Sequence, residues 1–363
     1  MITLFWPYIS EQTSHAVAEV LKTRWIGQGL RVDALEQKFE SQFSIPHAVA
    51  VNSCTSAIHL ALILAEVQDG DEVITTPLTC PAANIPILYR RAKAVFADLQ
   101  KETLNIDPKS ITQKMTSRTK AILAVHWGGQ PCDMAEIDAI AKKEGLVVIE
   151  DAAQALGATY QGKPIGALSD LTCFSFQAVK LITSGDGGML TTIHPAYAKR
   201  AKLLRWYGMD RNSKGSLYDK HTITEVGYKY HMNDIVATMV STQLDAFPLI
   251  SSRRNEIVTR YRKELASVPG LTLLEQKKDR TNAHCLFTIR VEKREDFIQH
   301  LAQQEVEAHL VHVRCDIFPI FGGKRQDLPV LNEVESQYVS IPLHNHLTEE
   351  DITKIIRTIR EGW

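Results

Sequence analysis

Lys180 follows the apolar run Cys173-Phe174-Ser175-Phe176 and precedes a glycine-rich stretch, Thr183-Ser184-Gly185-Asp186-Gly187-Gly188. A lysine amine attacks a carbonyl only as its free base, a form that burial beside another cation favours. Lys180 is therefore a candidate for covalent attachment to a carbonyl cofactor. Glu150-Asp151-Ala152-Ala153-Gln154 follow a second apolar run, Val147-Val148-Ile149. A carboxylate at the end of a buried strand can hold a protonated pyridine nitrogen, which keeps the ring electron-withdrawing. Asn52-Ser53-Cys54-Thr55-Ser56 separate the short run Val49-Ala50-Val51 from a helical stretch, Ala57 to Glu66. Small hydroxyl residues at a helix N-terminus offer N–H groups and a favourable dipole to an anion, most often phosphate. Each group alone has an ordinary reading: a helix cap, a strand-end carboxylate, a surface lysine. The order in which they occur, phosphate cup then acidic strand end then lysine, is the order that a pyridoxal 5′-phosphate (PLP) site asks for.

The elements that must position these groups are legible from residue 45 to about 195. Brief β-rich runs occur at 48–51, 72–75, 94–97, 121–125 and 146–149, with helical stretches such as Met134 to Glu144 between most of them. Apolar strands joined by helices predict an α/β fold with a mainly parallel sheet covered on both faces, with ligands beyond the carboxyl ends of the strands. His126 and Trp127 end the Ala121–Val125 run, and both are candidates for the substrate pocket. His126 is as well suited to a structural role. Around Asp245-Ala246-Phe247-Pro248 the pattern changes to a charged helix (251–266), a strand within 283–291, a helix at 294–305 and a last helix at 349–360 capped by Thr348. The expected division is a large PLP-binding domain with an N-terminal segment over residues 1–245 and a small C-terminal α+β domain over 246–363. The polar, glycine-bearing stretch 208–219 reads as a mobile loop.

The chain has 363 residues, 44% of them hydrophobic and 23% charged, with a formal net charge of −1. No basic block suggests a nucleic-acid surface or an anionic membrane. No apolar run is long enough to span a bilayer, and the start of the sequence has no secretory pattern. The six cysteines show neither CxxC pairs nor metal-ligand spacing, so reduced thiols, no metal and a cytoplasmic location are expected.

Taken with Trp25-Ile26-Gly27-Gln28-Gly29, Gly70-Asp71-Glu72, Thr103 to Asp107, His126-Trp127-Gly128-Gly129-Gln130-Pro131, Gly227 to Asp234 and Pro342-Leu343-His344, the three groups resemble the DegT/DnrJ/EryC1/StrS family of nucleotide-sugar aminotransferases over nearly the whole chain. The resemblance implies a fold-type-I PLP transferase with a seven-stranded-type sheet, working as a homodimer with shared active sites. It implies Thr55, Ser56 and Ser175 as phosphate ligands, Asp151 as partner of the pyridine nitrogen and Gln154 as a contact to the ring hydroxyl. Lys180 would be both the Schiff-base lysine and the acid–base group. The chain departs from the family at Cys80, where many members stack an aromatic side chain on the ring; Trp127 is an alternative cover for that face. It departs again at Lys229, where an asparagine commonly reaches the phosphate held by the neighbouring subunit. A lysine suits the same dianion, so Lys229 is expected to cross the interface. In the smaller domain, His312 is a candidate for hydrogen bonding to sugar and Arg314 for a diphosphate.

The reaction so implied is ping-pong amino transfer from L-glutamate to a keto group, at C-4 or else C-3, of a nucleotide-linked deoxysugar, through a lysine-bound aldimine and pyridoxamine phosphate. Such amino sugars enter lipopolysaccharide, O-antigen or other glycans. Two rivals are a sugar dehydratase, in which the lysine is commonly replaced by histidine, and a non-catalytic regulatory protein on the same scaffold. The intact Lys180–Asp151 pair argues against both.

Overall fold

The structure, a computed structural model, describes residues 1–211 and 223–363; most of the expected 208–219 loop lies outside the described residues. Twelve strands are present among them: β1 (His47–Val51), β2 (Glu72–Thr75), β3 (Lys93–Phe96), β4 (Thr119–Val125), β5 (Val147–Asp151), β6 (Thr159–Tyr160), β7 (Lys163–Pro164), β8 (Leu171–Ser175), β9 (Gly188–Thr192), β10 (Leu271–Leu273), β11 (Phe287–Val291) and β12 (Tyr338–Ile341). Seven form one sheet in the order β1-β9-β8-β5-β4-β2-β3. All its pairs are parallel except those that β9 makes with β1 and β8. The five expected runs are β1 to β5. β9 escapes a sequence reading because it opens on glycine straight after a glycine-rich turn, where strand propensity is low.

Among the described residues eleven α-helices accompany the strands: α1 (Glu11–Lys22), α2 (Leu30–Phe43), α3 (Cys54–Leu64), α4 (Pro81–Tyr89), α5 (Pro108–Lys114), α6 (Met134–Glu144), α7 (Pro195–Leu204), α8 (Asp234–Leu265), α9 (Arg294–Gln303), α10 (Pro329–Val334) and α11 (Glu349–Arg360). None is long and apolar enough to cross a membrane. One face of the large sheet packs on α3 through Val49, Val51, Ile149 and Leu190 against Leu60 and Leu64. The other buries Ile74, Ile122, Ala124 and Phe174 against α2, α6 and α8. The edge strand β1 is closed off by α2, since Glu40 accepts from Ala48 N–H at 2.8 Å and Glu36 from Ala50 N–H at 2.9 Å. A helix i, i+4 spacing thus matches a strand i, i+2 spacing and blocks further strand pairing.

The small sheet β10-β11-β12 has a core of its own with α9, α11, the second half of α8 and Ile2. The break expected at residue 245 is a continuous 32-residue helix, α8, with Pro248 inside it. Proline leaves the carbonyl four residues earlier without its helical donor, and Gln42 Nε2 supplies one to Leu244 at 2.9 Å. A neighbouring side chain, which no local pattern shows, lets the helix run on.

Candidate active site

Register brings the chemistry together. Val125, Asp151 and Cys173 are partners across β4, β5 and β8, so β4 and β5 end at one level and β8 runs on from it to Ser175. Lys180 lies in the loop that follows β8, and this loop is pinned from both sides. Ser184 N–H and Thr183 Oγ1 donate to Phe176 O at 2.9 and 3.2 Å. Gln243 of α8 accepts from Thr183 N–H at 2.9 Å and donates to Thr183 O. Leu181 and Ile182 anchor the loop in the core, and Lys180 itself is half-buried. Its charge acts on Asp151, Cys54 and His312, so the four groups lie near one another.

Asp151 is 5% exposed. Its Oδ1 accepts from Ala153 N–H at 3.0 Å and faces Cys54 Sγ at 3.9 Å. Oδ2 has no partner among the described residues and is the oxygen left for a ring N–H. Burial pushes the carboxyl above its usual range, opposed by the Ala153 N–H, the Lys180 charge and the Cys54 thiol. Ser53 caps α3 by accepting from Ser56 N–H at 3.1 Å, and Ser56 Oγ reaches Asn52 Oδ1 at 2.7 Å. Thr55 is half-buried in the first turn. Ser175 ends β8 opposite Gly188 of β9.

Gly188 shows how closely the cup sits on the sheet. A Cβ there would lie 2.5 Å from the carbonyl carbon of Ser53 and 2.6 Å from Cys54 N, both backbone atoms that cannot swing aside. Gly188→Ala is expected to lower stability by about 1–3 kcal/mol through overpacking, read as a fall in urea midpoint of the cofactor-free protein. An unchanged midpoint would show that α3 can retreat from the sheet.

Three expected site residues lie elsewhere or are already engaged. His126 follows Val125 and so projects to the face opposite Asp151. It is fully buried, with Nε2 2.8 Å from Glu150 and Nδ1 3.1 Å from Cys132 N–H. Glu150 favours a charged imidazolium, but the Cys132 N–H needs a lone pair on Nδ1, so the ring is the neutral Nε2–H tautomer. Its role is structural. Arg314 is 1% exposed and is held bidentately by Asp316 at 2.6 and 2.7 Å, with Glu335 at 3.0 Å. Its charge is spent inside the small domain, so it is not placed to meet a diphosphate. Trp127 is packed among Leu78, Phe96, Cys315 and Tyr338 and presents an edge to His312, ring centroids 5.9 Å apart. It is 3% exposed and supports His312 from within that packing.

His312, by contrast, joins this group of residues. Cys315 N–H donates to Pro77 O at 2.7 Å and Tyr338 Oη to His312 O at 3.1 Å, which fastens this segment to the loop after β2. Gly128 N–H donates to Gln154 Oε1 at 2.7 Å, fixing the amide so that Nε2 points at His312 Nε2, 3.3 Å away. His312 Nε2 must then carry a lone pair. Burial first, and Lys180 second, pull its pKa to about 4, consistent with a neutral ring. Cys80, at the N-cap of α4, is half-buried and close enough to Cys54 to act on it. Lys229 is exposed, and its carbonyl accepts from Asn52 Nδ2 at 3.3 Å beside this chain's own cup. Cys54 went unnoticed in the sequence because a thiol in a helix turn carries no signature.

The donor set fits PLP: hydroxyls and helix N–H groups at one end, an available carboxylate oxygen at the other, an amine between. The DegT/DnrJ/EryC1/StrS aminotransferase family model matches residues 7–360. GDP-perosamine synthase of Escherichia coli O157:H7 is 32% identical over 99% of this chain and 98% of its own. The sugar aminotransferase CalS13 of Micromonospora echinospora superposes with a TM-score of 0.96, at 32% identity and full coverage of both chains. The Streptococcus pneumoniae protein Spr1654, described as a sugar aminotransferase and solved in a PLP form, gives 0.93 at 29% identity, covering 99% of this chain and 98% of that one. The chain belongs to the DegT/DnrJ/EryC1/StrS aminotransferase family, whose members work with PLP.

Proposed function

We propose that the protein moves an amino group from L-glutamate to the keto carbon of a nucleotide-linked deoxysugar, at C-4 in preference to C-3. The observation that carries this reading is the meeting of Lys180, Asp151 and the α3 cup at one end of the parallel sheet. The sugar class is supported by the relatives, one named for a GDP-linked sugar and one for a sugar aminotransferase.

Thr55, Ser56 and Ser175 would hold the PLP phosphate, Asp151 its pyridine nitrogen, Gln154 its ring hydroxyl and Lys180 its carbonyl carbon, with Cys80 against the ring. Bound there, PLP supplies a carbonyl that exchanges amines and a ring that withdraws electrons from the carbon being deprotonated. The chain does the rest. Lys180 Nζ takes the proton from the α-carbon of glutamate and returns one to the sugar carbon that receives nitrogen. Asp151, kept from water, holds a negative charge where positive charge is needed. His312, neutral and braced by Trp127 and Tyr338, offers a ring nitrogen to a sugar hydroxyl. Lys180 speaks against the dehydratase reading, and the Lys180–Asp151 pair against a non-catalytic one.

The working unit in this reading is a homodimer. The large hydrophobic side chains of Trp25, Ile26, Leu30 and Val226 are exposed on the single chain and suit burial by a second copy. Lys229, exposed on the same chain, would then meet the phosphate held by the partner subunit. Lys229→Ala should weaken PLP retention about 10-fold, the size of one charge-assisted contact, read by fluorescence during dialysis. Retention equal to wild type would remove the cross-subunit role. The substrate itself is tested with a panel of nucleotide-linked 4-keto and 3-keto sugars plus glutamate. Amine product is read by mass and its position by NMR; no amination of any keto sugar would sink the reading.

A further inference from the structure

We infer that Cys54 is a positioning residue for Asp151: its thiol donates to Oδ1 and helps keep the buried carboxylate ionised, so that the proton shared with the PLP ring stays on the ring nitrogen. The inference rests on the Asp151 reading above and deepens it.

The geometry begins with α3. Gly188 lets the backbone of Ser53 and Cys54 press onto β9, and this brings the first residue of the helix over the ends of β5 and β8. Cys54 Sγ then lies 3.9 Å from Asp151 Oδ1, within reach of a thiol donor. Among the described residues, one other donor, Ala153 N–H, serves that oxygen and none serves Oδ2. On the adjacent strand the register partner of Asp151 is Cys173, a second thiol, so no strong donor approaches from that side. The carboxylate is 5% exposed, and against its burial stand the Ala153 N–H, the Lys180 charge and the Cys54 thiol.

Burial raises the proton affinity of a carboxylate, and each hydrogen bond to the ionised form lowers it. In a carboxylate–pyridine pair this balance decides where the shared proton sits. Too basic a carboxylate takes it and leaves the ring neutral, a poor electron sink. The thiol is held protonated at neutral pH by its own burial and by Asp151 and Cys173 nearby, so it acts only as a donor. One turn of α3 therefore serves both ends of the cofactor, with hydroxyls toward the phosphate and sulfur toward the carboxylate.

The test uses holoenzyme reconstituted with PLP labelled with ¹⁵N in the ring. In Cys54→Ala the ring nitrogen signal should move toward its unprotonated position. Cys54→Ser, which restores a donor, should return it toward wild type, with thermal midpoints of the three proteins alike. Loss of the donor should also weaken PLP retention by roughly 2- to 5-fold, the size of one weak hydrogen bond. A ring signal unmoved in Cys54→Ala, or a serine variant that behaves like alanine, would overturn the inference. If Cys54→Ala fails to hold PLP, the S–H infrared band of the cofactor-free wild type gives the second measurement. That band, assigned by its disappearance in Cys54→Ser, should shift in Asp151→Asn, and a band that does not shift overturns the inference. Asp151→Asn holoenzyme is the control: a ring signal unchanged there means that the Asp151 assignment itself has failed, independently of Cys54.

Discussion

Lys180→Ala is expected to lower turnover with glutamate and a keto sugar by at least about 10⁴-fold, since it removes the nucleophile and the acid–base group together. The fall should already appear when the first half-reaction is isolated, measured as 2-oxoglutarate released in a single turnover. The loop around Lys180 is held by backbone and Gln243 contacts that do not involve its side chain, so the variant should fold normally. Borohydride treatment should fix PLP covalently to the Lys180 peptide of the wild type and to no peptide of the variant. Turnover within about 10-fold of wild type, well inside the range of an auxiliary group, would overturn the assignment.

Asp151→Asn separates function from stability. The amide keeps the shape but cannot carry the negative charge that a protonated ring requires, and kcat should fall roughly 10²- to 10³-fold, the range for removal of one preorganised electrostatic stabiliser. Stability should not follow. The folded-state pKa of Asp151 is raised, chiefly by burial. Its contribution to stability is therefore fully present below the unfolded-chain pKa, about 3.9, and is lost as pH rises through the folded value. Near neutral pH the ionised carboxylate costs the cofactor-free protein stability, and asparagine relieves that cost. The cofactor-free variant should unfold no lower than wild type at pH 7 and depend less on pH in the acid range. A variant both inactive and markedly less stable at pH 7 would mean that Asp151 acts mainly through packing.

What could be read from the residues differs from site to site. Lys180, Asp151 and the Ser53–Ser56 hydroxyls were legible because each follows an apolar strand, and a parallel sheet gathers such positions at one end. His126 was placed at a strand end with equal accuracy, yet a side-chain period of 2 turns it to the opposite face from Asp151. Arg314 exposed the same limit. Its guanidinium suits a diphosphate as well as a carboxylate, and only the folded chain brings Asp316 and Glu335 around it. His312 came to lie beside Gln154 because the segment carrying it pairs with the loop after β2, a contact between residues more than 230 positions apart.

By itself the sequence determined the parallel α/β layout, the end of the sheet that gathers the candidate groups and the lysine that stands among them. These follow from local apolar periodicity and from residue type at strand ends. The tertiary structure decided what lies beside what. It carried α8 across the expected break because Gln42 replaces the donor that Pro248 lacks, and it turned His126 and Arg314 into structural residues. It also drew Cys54 up to Asp151 because Gly188 has no side chain to keep α3 away. Each of these is a contact between distant segments, and a one-dimensional pattern of residues contains no distances between them.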